Sequence, residues 1–483
     1  MPLPTRLREF GPPMWRRALC SPIRATFLAL FLGLFAGCID EDNPTAPETP
    51  RNPDLPNANA MVRYHRIDGD TAKRSSIYDL IDVGDNTSFG VELHNGVLAV
   101  TRLPADGVPI WTRRTGYSLR SAQRFDTLWN GLPTVCLAVG GSDSDGNGAL
   151  DEGWVSLIDL DGGLVSELTL TPPDVELWLN DIAVTAVDLD VCEFLAVGGI
   201  EGPGGPVYPV VVQVALSSTG EPSLIQSHVY ANLPGVLFGN VEHDPADALA
   251  ATYASGNLFA SDGSVISLVV VGLSPSLQLD WRQDLFPEET YQTSMGGVGG
   301  SLRLEDGNLY VVGGALVQKG TEGDLWSAGL IAALSADGSL QWLRVVTLTA
   351  HGEHFQRCIV DGPYVYVSGQ CASFLIRDTN QEFGYALLSR VERLTGNFLD
   401  NWSFGDRDCS SGFNTVMVRG DRAFGGGWTH GYVDGGSFQS WYVDVDLAPA
   451  STAWLAAAAE ESPDARMPLH RDVECGKYVR PRW

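Results

Sequence analysis

Basic side chains are scarce in this sequence. Its 483 residues include 31 lysine and arginine residues against 59 aspartate and glutamate residues, and the formal net charge at pH 7 is -28. A surface with this excess of negative charge repels phosphate backbones, which proteins bind mainly through lysine and arginine. The charge therefore argues against a nucleic-acid-binding protein.

The sequence also lacks the short motifs that identify common catalytic and metal sites. It contains no Cys-x-x-Cys pair, no Gly-x-Ser-x-Gly elbow, no glycine-rich phosphate loop and no constellation that defines a Ser/His/Asp or Cys/His nucleophile. Pairs of carboxylates could be nominated as glycosidase residues, but 59 acidic residues supply such pairs by number alone. Nothing in the sequence therefore gives a specific reason to predict an enzyme.

No apolar run is long enough to cross a bilayer as a helix. The longest near the N-terminus, Ala25–Ala36, follows an arginine-rich segment and ends in Gly37-Cys38, which is the layout of an export signal. Residues 34–38 resemble the lipobox of bacterial lipoproteins, although Phe35 departs from the usual leucine. The resemblance implies a signal peptide over residues 1–37 and acylation of Cys38. An ordinary cleaved secretory signal with an incidental cysteine is the alternative.

The residues after Cys38 indicate where the mature protein is held. Ile39 stands where an aspartate retains some Gram-negative lipoproteins in the inner membrane, so the resemblance implies lipid anchoring in the bacterial cell envelope, at the outer membrane. Residues 38–60 are rich in Pro, Asn, Asp and Glu and show no apolar periodicity, which predicts a flexible tether. The tether would hold a folded domain, predicted over residues 61–483, clear of the lipid surface.

A pattern that returns about every 57 residues fills the rest of the chain, and such a period indicates one structural unit copied and stacked. Glycines close an apolar run at Gly84, Gly140, Gly198, Gly256, Gly313, Gly369 and Gly426. A second series of turn sequences contains Gly107, Gly162, Gly220, Gly338 and Gly396, and tryptophan follows three of these turns, at Trp111, Trp342 and Trp402. We interpret both series as structural, as turn formers and packing between units.

Each unit contains four short strands. In the best-formed unit the predicted strands are Ser301–Gly307, Asn308–Gly314, Ala328–Ser335 and Ser339–Val346. Four antiparallel strands in this length form one propeller blade. The sequence therefore predicts an all-β fold, a seven-bladed β-propeller of four-stranded antiparallel blades.

The first blade and the closure of the ring are less regular. Ile77–Val83 and Ser88–Leu93 are predicted to supply the early strands of the first blade. The ring must close, because an open propeller exposes a blade edge. Either Met61–Ile67 or the tail from Pro468 to Trp483 could pair with the last blade.

The unit resembles those of bacterial β-propeller repeat families, in which an apolar strand, a glycine pair, a second apolar strand, Asp-Gly and Trp follow one another. A narrower likeness is to quinoprotein-type repeats, including the outer-membrane lipoprotein of the barrel assembly machinery, although the connections between second and third strands are longer here. The resemblance covers about residues 63–460. It implies a fold rather than a function, because propellers include binding proteins, scaffolds and enzymes.

Apart from Cys20 in the export signal and the lipobox Cys38, the chain has six cysteines, namely Cys136, Cys192, Cys358, Cys371, Cys409 and Cys475. An even number in an exported chain permits three disulfides, and sequence alone cannot choose their pairing. Cys136 and Cys192 precede repeat glycines, so we predict that they point into packed blades. For these two, a buried free thiol and a disulfide are both open.

The strongest local motif is an acidic loop that predicts a structural calcium site. Its oxygen ligands are spaced as a hard cation requires, with a glycine at the sharp bend and a backbone carbonyl as one ligand. The ligands would come from Asp143, Asp145, Asn147, Ala149 and Asp151. The loop resembles the calcium loops of integrin-type propellers, whereas Trp154 at the twelfth position excludes an EF-hand. A solvated acidic turn is the alternative.

Two further polar clusters lie where one blade passes to the next. His351, Glu353 and His354 carry two imidazoles and a carboxylate that could ligate a transition metal, and the alternative is a polar surface loop. Asp406, Asp408 and Cys409 form the second cluster, to which we assign no mechanism.

Together these features favour a non-enzymatic propeller lipoprotein, predicted to be a monomer, that binds an envelope protein or a polysaccharide. The alternative is a carbohydrate-active hydrolase or lyase with its site at the mouth of the central channel, where the connections between blades converge. Clustered carboxylates and aromatic side chains in the channel would favour the enzyme, and a channel lined by small residues would count against it.

Overall fold

The computed structural model describes most of the predicted propeller. The described residues are 62–68, 75–83, 87–94, 97–104, 110–114, 118–124, 136–142, 152–172, 175–187, 191–202, 205–217, 222–244, 251–286, 290–297, 300–319, 324–346, 353–371, 385–404, 410–430 and 439–447. All of them belong to the unit Glu41–Trp483. The predicted signal peptide over 1–37, Cys38 and the tether over 38–60 lie outside the described residues.

The regular structure in these ranges consists of strands. The first thirteen are β1 (Val62–Asp68), β2 (Ser76–Asp82), β3 (Thr87–His94), β4 (Val97–Pro104), β5 (Trp111–Arg114), β6 (Ser118–Arg124), β7 (Cys136–Ser142), β8 (Glu152–Ile158), β9 (Leu164–Leu170), β10 (Glu176–Val187), β11 (Val191–Glu201), β12 (Val207–Ser217) and β13 (Pro222–Val229). The next nine are β14 (Val236–His243), β15 (Thr252–Phe259), β16 (Val265–Leu273), β17 (Leu279–Leu285), β18 (Thr290–Met295), β19 (Leu302–Glu305), β20 (Asn308–Lys319), β21 (Asp324–Ser335) and β22 (Leu340–Val346). The last seven are β23 (Glu353–Asp361), β24 (Tyr364–Cys371), β25 (Tyr385–Glu392), β26 (Phe398–Phe404), β27 (Ser410–Arg419), β28 (Arg422–His430) and β29 (Gln439–Asp446). Over the same ranges, no helix of the length and apolarity needed to span a membrane occurs.

These strands form seven antiparallel sheets, which are the blades of a seven-bladed β-propeller. Blades 1 to 4 are β2–β5, β6–β9, β10–β13 and β14–β17, and blades 5 and 6 are β18–β22 and β23–β26. Blade 7 combines β27, β28 and β29 with β1. The innermost strands contact one another around the ring, so they surround the central channel. They are the first strand of each blade, except in blade 5, where β19 makes these contacts. The predicted fold class is confirmed.

The two ends of the domain close the ring. Strand β1 pairs antiparallel with β29, with Ile67 opposite Trp441 and Val62 opposite Val445. The strand therefore completes the four-stranded sheet of blade 7. Of the two predicted closures, the one that uses residues 61–67 is the one observed. The tail from Pro468 onward lies outside the described residues.

In blades 3 to 7 the first glycine series serves a close approach between two strands rather than a turn. The first strands carry a bulge, at Ile77/Asp79, Leu119/Ser121, Leu179/Asp181, Phe238/Asn240, Phe355/Arg357 and Phe413/Thr415. Opposite the bulge of β10 stands Gly198, and a Cβ there would lie closer than 3.0 Å to the carbonyl oxygen of Trp178, nearer than Cβ atoms come. Gly256, Gly313, Gly369 and Gly427 stand in the same relation to Leu237, Ser294, His354 and Gly412. Glycine is the residue that admits such a backbone approach.

Two assignments within this series were wrong by position. In blade 7 the glycine against the bulge carbonyl is Gly427, one residue after the predicted Gly426. In blade 1 the position opposite Ile77 is occupied by Glu92, and Gly84 lies outside the described residues. Both blades keep the bulge of the repeat, but the residue opposite it is not the predicted glycine.

The second series forms turns that receive a tryptophan from the preceding blade, as predicted. Gly338 and Gly396 have positive φ values of 83° and 71°, which suits the third-to-fourth-strand turns in which they lie. The indole nitrogen of Trp281 in blade 4 donates to the carbonyl of Ala336 in blade 5 over 3.1 Å, and a Cβ on Gly338 would lie 2.7 Å from the ring of Trp281. The turn glycine therefore makes room for the tryptophan that joins the two blades.

Blade 5 departs from the predicted strand assignment. The segment expected to be its first strand, Ser301–Gly307, forms only the short strand β19, and the preceding strand β18 pairs with the same partner, β20. The two strands share β20 end to end, with Met295 opposite Gly313 and Leu302 opposite Val311. The inner edge of this blade is thus formed by two strands, with an interruption between residues 295 and 302. The apolar pattern of the sequence predicted a single strand there and did not indicate the interruption.

Two of the six cysteines are free thiols. Cys192 and Cys358 are buried and form no disulfide, so a framework of three disulfides is wrong. Burial raises the pKa of each thiol to about 12, which keeps both protonated and unreactive at neutral pH. The prediction that Cys192 points into a packed blade is confirmed by its place in a hydrophobic cluster.

Candidate functional site

The inner strands bring a layer of polar side chains to the channel wall, immediately after the bulges. In five of the bulged first strands the register resumes at a polar residue whose side chain is described, namely Asp79, Asp181, Asn240, Arg357 and Thr415. Several of them accept a hydrogen bond from a backbone amide of the next blade. The donors and acceptors are Val241 N to Asp181 Oδ2 (2.8 Å), Ser301 N to Asn240 Oδ1 (2.9 Å) and Leu80 N to Thr415 Oγ1 (3.3 Å). The bulge therefore connects blades through the side chain that follows it.

Charged members of this layer and of the next form an ionic cluster across the channel. Arg357 of blade 6 makes an ion pair with Asp79 of blade 1, and the two side chains are 7% and 1% exposed. Arg303 of blade 5 pairs with Glu242 of blade 4, with Nη1 and Oε1 2.6 Å apart. Asp181 of blade 3 adds a third carboxylate that interacts with both guanidinium groups. The cluster thus joins five of the seven blades.

Burial and mutual attraction oppose each other within this cluster. Burial tends to lower the pKa of Arg303, but Glu242, Asp79 and Asp181 outweigh it, and the pKa lies above its ordinary value. For Arg357 burial dominates and lowers the pKa, against the attraction of Asp79. Burial raises the pKa of Glu242, although Arg303 lowers it. The charges depend on one another, so removal of one partner leaves another uncompensated in a poorly hydrated place.

Such a cluster is suited to a structural role, in which ion pairs hold the blades together. A general acid and a general base need two carboxylates whose environments push their pKa values apart, with one of them able to give up a proton. Here Asp79 and Glu242 are each engaged by a guanidinium group. The carboxylates expected of an enzymatic channel are therefore present, but Asp79 and Glu242 are each paired with an arginine.

The segment around His354 is buried, so the prediction of a polar surface loop is wrong for the part that is described. Glu353 and His354 begin β23 and are 0% and 7% exposed. The His354 Nε2 lies 3.3 Å from Ser294 Oγ, and its Nδ1 lies 3.0 Å from Gln356 Nε2, which donates to it. Burial lowers the pKa of His354 to about 4, so the imidazole is neutral at neutral pH. His351 lies outside the described residues.

Metal sites receive no support from the part of the chain that the structure describes, where no group of three or more His, Cys, Asp and Glu side chains could hold an ion. The calcium ligands proposed from sequence, Asp143, Asp145, Asn147, Ala149 and Asp151, lie outside the described residues, as do Asp406, Asp408 and Cys409. The strands that flank the loop are described: β7 ends at Ser142, and β8 begins at Glu152 and buries Trp154 completely. Burial of Trp154 is consistent with its exclusion as a ligand.

The strand directions define the two ends of the ring. Each first strand begins at one end, which we call the top face, and the antiparallel second strand ends there. The opposite end is called the bottom face.

The ionic cluster was missed at the sequence level. The sequence did contain a signal for it. Asp181 and Arg357 are charged residues within largely apolar strands, and each stands immediately after the bulge of its strand. A charged residue at an equivalent position in several repeats indicates an inner-strand position facing other blades. The identity of each partner, by contrast, depends on which blades face each other across the channel.

Comparisons with known proteins assign the chain to no family. No protein-family model matches the chain, and no curated protein matches it. Among solved structures, the polysaccharide lyase Uly1 is 12% identical, with a TM-score of 0.43 over 77% of this chain and 90% of that chain. The Dos1 propeller is 10% identical, with a TM-score of 0.41 over 79% and 94%. A catalytically inactive virginiamycin B lyase from Staphylococcus aureus, with quinupristin, is 11% identical, with a TM-score of 0.40 over 78% and 98%.

Proposed function

We propose that this protein is an exported, lipid-anchored β-propeller that acts as a non-enzymatic binding or scaffold module for an envelope protein or a polysaccharide. The observation that carries the proposal is the ionic cluster: the channel carboxylates Asp79 and Glu242 are held by Arg357 and Arg303. A rigid ring with such a channel offers loops for binding rather than a proton-transfer pair. A hydrolase or lyase at the channel mouth would need a carboxylate or another base outside these pairs.

Anchoring through Cys38 is part of the proposal. The lipobox resemblance and the tether over 38–60 support it, and the tether leads to Val62, where β1 begins on the outer side of blade 7. Since β1 is the strand that closes the ring, the membrane attachment is continuous with the rim of the propeller. The ring can then face partners while it remains close to the outer membrane.

Cross-linking in native cells tests the function and the anchor together. We expect the parent to fractionate with membranes and to recover a recurring envelope protein, identified by mass spectrometry, or bound glycan. The Cys38→Ala variant should move to the soluble fraction, because one acylated cysteine supplies the anchor. Unchanged fractionation of this variant would refute lipidation. Recovery of neither partner class, or release of shortened glycan by the purified parent, would count against a binding module.

A calcium ion in the loop over 143–151 is the second part of the proposal. Its support is the spacing of oxygen ligands at Asp143, Asp145, Asn147 and Asp151, with the carbonyl of Ala149. An ion bound only by the folded state stabilises it by about 3 kcal/mol when present at a hundred times its dissociation constant. The ion would stiffen the connection between β7 and β8 and take no part in catalysis.

Chelation provides the test of this ion. We expect a calcium chelator to lower the Tm of the parent by a few degrees and to leave that of Asp145→Ala unchanged. Asp262→Ala, in a turn of blade 4 that lacks the loop pattern, serves as the matched control and should keep the parent's response. A parent whose Tm is indifferent to chelator would contradict the calcium site.

A further inference from the structure

Blades 3 and 4 form a half-open cavity of about 180 Å³ near the bottom face. Polar side chains from five strands line it, together with apolar residues that include two from one turn. The polar lining residues are Thr185, Glu193, Gln213, His243 and Thr252, and the turn residues are Pro275 and Leu277. The cavity shares no lining residue with the ionic cluster.

The interface between blades 5 and 6 shows that most of these positions are otherwise apolar. The repeat glycines Gly198 and Gly313 align blade 3 with blade 5, so Glu193, opposite Ala215, is equivalent to Asn308, opposite Ser335. By the same registers Gln213 corresponds to Ala333, His243 to Val360 and Thr252 to Val365. Ala333 and Val365 belong to one hydrophobic cluster, against which Val360 packs. Three apolar positions at one interface are thus polar at the other.

The space itself arises because the tryptophan of the repeat is missing. Trp281 and Trp342 fill this place at the next two interfaces, each against the turn glycine of the following blade. Strand β13 of blade 3 contains no tryptophan. The facing turn of blade 4 has Leu277 instead of glycine, with a positive φ of 58° and a side chain only 2% exposed. A leucine in this region costs roughly 1–2 kcal/mol, so its retention at the cavity needs a compensating contact.

The polar groups around the cavity form two hydrogen-bonded pairs, and in the described part of the chain one further hydroxyl group has no partner. Gln213 donates to Glu193 over 3.2 Å, and His243 Nδ1 lies 3.0 Å from Thr252 Oγ1. The hydroxyl oxygen of Thr185 is buried and has no hydrogen-bond partner among the described residues. Burial lowers the pKa of His243, against Asp244, so the imidazole is neutral at neutral pH. A buried polar atom ordinarily finds a partner, which here would come from a bound molecule.

We propose that this cavity binds one neutral sugar unit. Its wall offers a carboxylate, an amide, a neutral imidazole and two hydroxyl groups, which together accept and donate hydrogen bonds as several sugar hydroxyls require. None of the described lining residues is a lysine or an arginine, so an acidic sugar or a phosphate would not be compensated. Leu277 supplies an apolar side for the ring carbons. The volume is below that of pockets for drug-sized ligands and fits a single ring.

This site is separate from the tethered binding function, and either proposal can fail without the other. Calorimetry and saturation-transfer NMR on the full-length parent test it with free glucose, galactose, mannose and N-acetylglucosamine, and with glucuronate and arginine methyl ester. We expect at least one neutral sugar to bind saturably. Partner recovery from membranes is measured independently, so a loss of sugar binding with intact partner recovery concerns this cavity alone.

Two substitutions assign the binding to the cavity. Gln213→Ala introduces the apolar residue of the blade 5 interface and should weaken sugar binding, with a dissociation constant roughly ten-fold higher or more. His243→Leu, on the opposite wall, should do the same and decides the matter if Gln213→Ala does not fold. Gln341→Ala, on the exposed outer strand β22, is the matched control and should bind as the parent does. The proposal is overturned if no neutral sugar binds, if only glucuronate or arginine methyl ester binds, or if binding survives the cavity substitutions.

Discussion

Replacement of Gly198 by alanine is expected to lower the free energy of unfolding by about 3 kcal/mol or more, although it adds a single methyl group. Gly198 stands opposite the bulge of β10, where the carbonyl oxygen of Trp178 and the Cα of Leu179 approach its backbone. A Cβ at Gly198 would overlap the backbone of the inner strand, which cannot rotate away as a side chain can. Strand β10 would have to move from β11, and with it the polar residue that contacts blade 4.

Gly202→Ala is the matched control for this prediction. Gly202 lies just after β11, the strand that contains Gly198, and a Cβ at Gly202 would have no atom within 4 Å. Its effect should stay within about 0.5 kcal/mol, the usual range for surface substitutions. Urea unfolding of both variants, followed by tryptophan fluorescence, measures the difference. Equal stabilities for the two variants would show that the bulge relaxes without cost and that the repeat glycines have another role.

The repeat could be predicted from sequence because each of its elements satisfies a local requirement. The turns at Gly338 and Gly396 need a positive φ, and glycine supplies it wherever the unit is copied. The tryptophan that follows packs on the next copy of the same turn, so turn and tryptophan keep one spacing. Period and strand content together define the number and type of blades. Closure was left with two alternatives because pairing of β1 with β29 joins segments at opposite ends of the domain.

The polar contacts along the inner wall of the ring could not be predicted in this way. The bulges that place Asp181 and Arg357 have no residue signature of their own, apart from the glycine on the neighbouring strand. The Asp79–Arg357 ion pair joins blades 1 and 6, and its formation depends on the geometry of the closed ring. The cavity between blades 3 and 4 likewise arises from departures, Gln213 for alanine and Leu277 for glycine, that only an alignment of strand registers reveals.

Removal of the Arg357 guanidinium tests whether the ionic cluster is the brace that we infer. Arg357→Met is expected to lower the free energy of unfolding by about 3–5 kcal/mol, the usual cost of breaking a buried ion pair from one side. The reason is that Asp79, whose side chain is 1% exposed, would keep its charge without its partner. Much of the loss would therefore come from the uncompensated carboxylate rather than from the lost attraction.

A double-mutant cycle separates these two contributions. Asp79→Asn removes the charge but keeps a hydrogen-bond acceptor for Thr415, whose hydroxyl donates to Asp79 over 3.4 Å. If the uncompensated charge is the cause, the variant with both Arg357→Met and Asp79→Asn should recover at least half of the stability that Arg357→Met loses. Arg282→Met breaks an ion pair on the outer strand β17 whose side chains are 30% and 42% exposed, and should cost at most about 1 kcal/mol. A loss in Arg357→Met no larger than in this control would mean that water reaches the channel pair, and the channel would then be open to ligands.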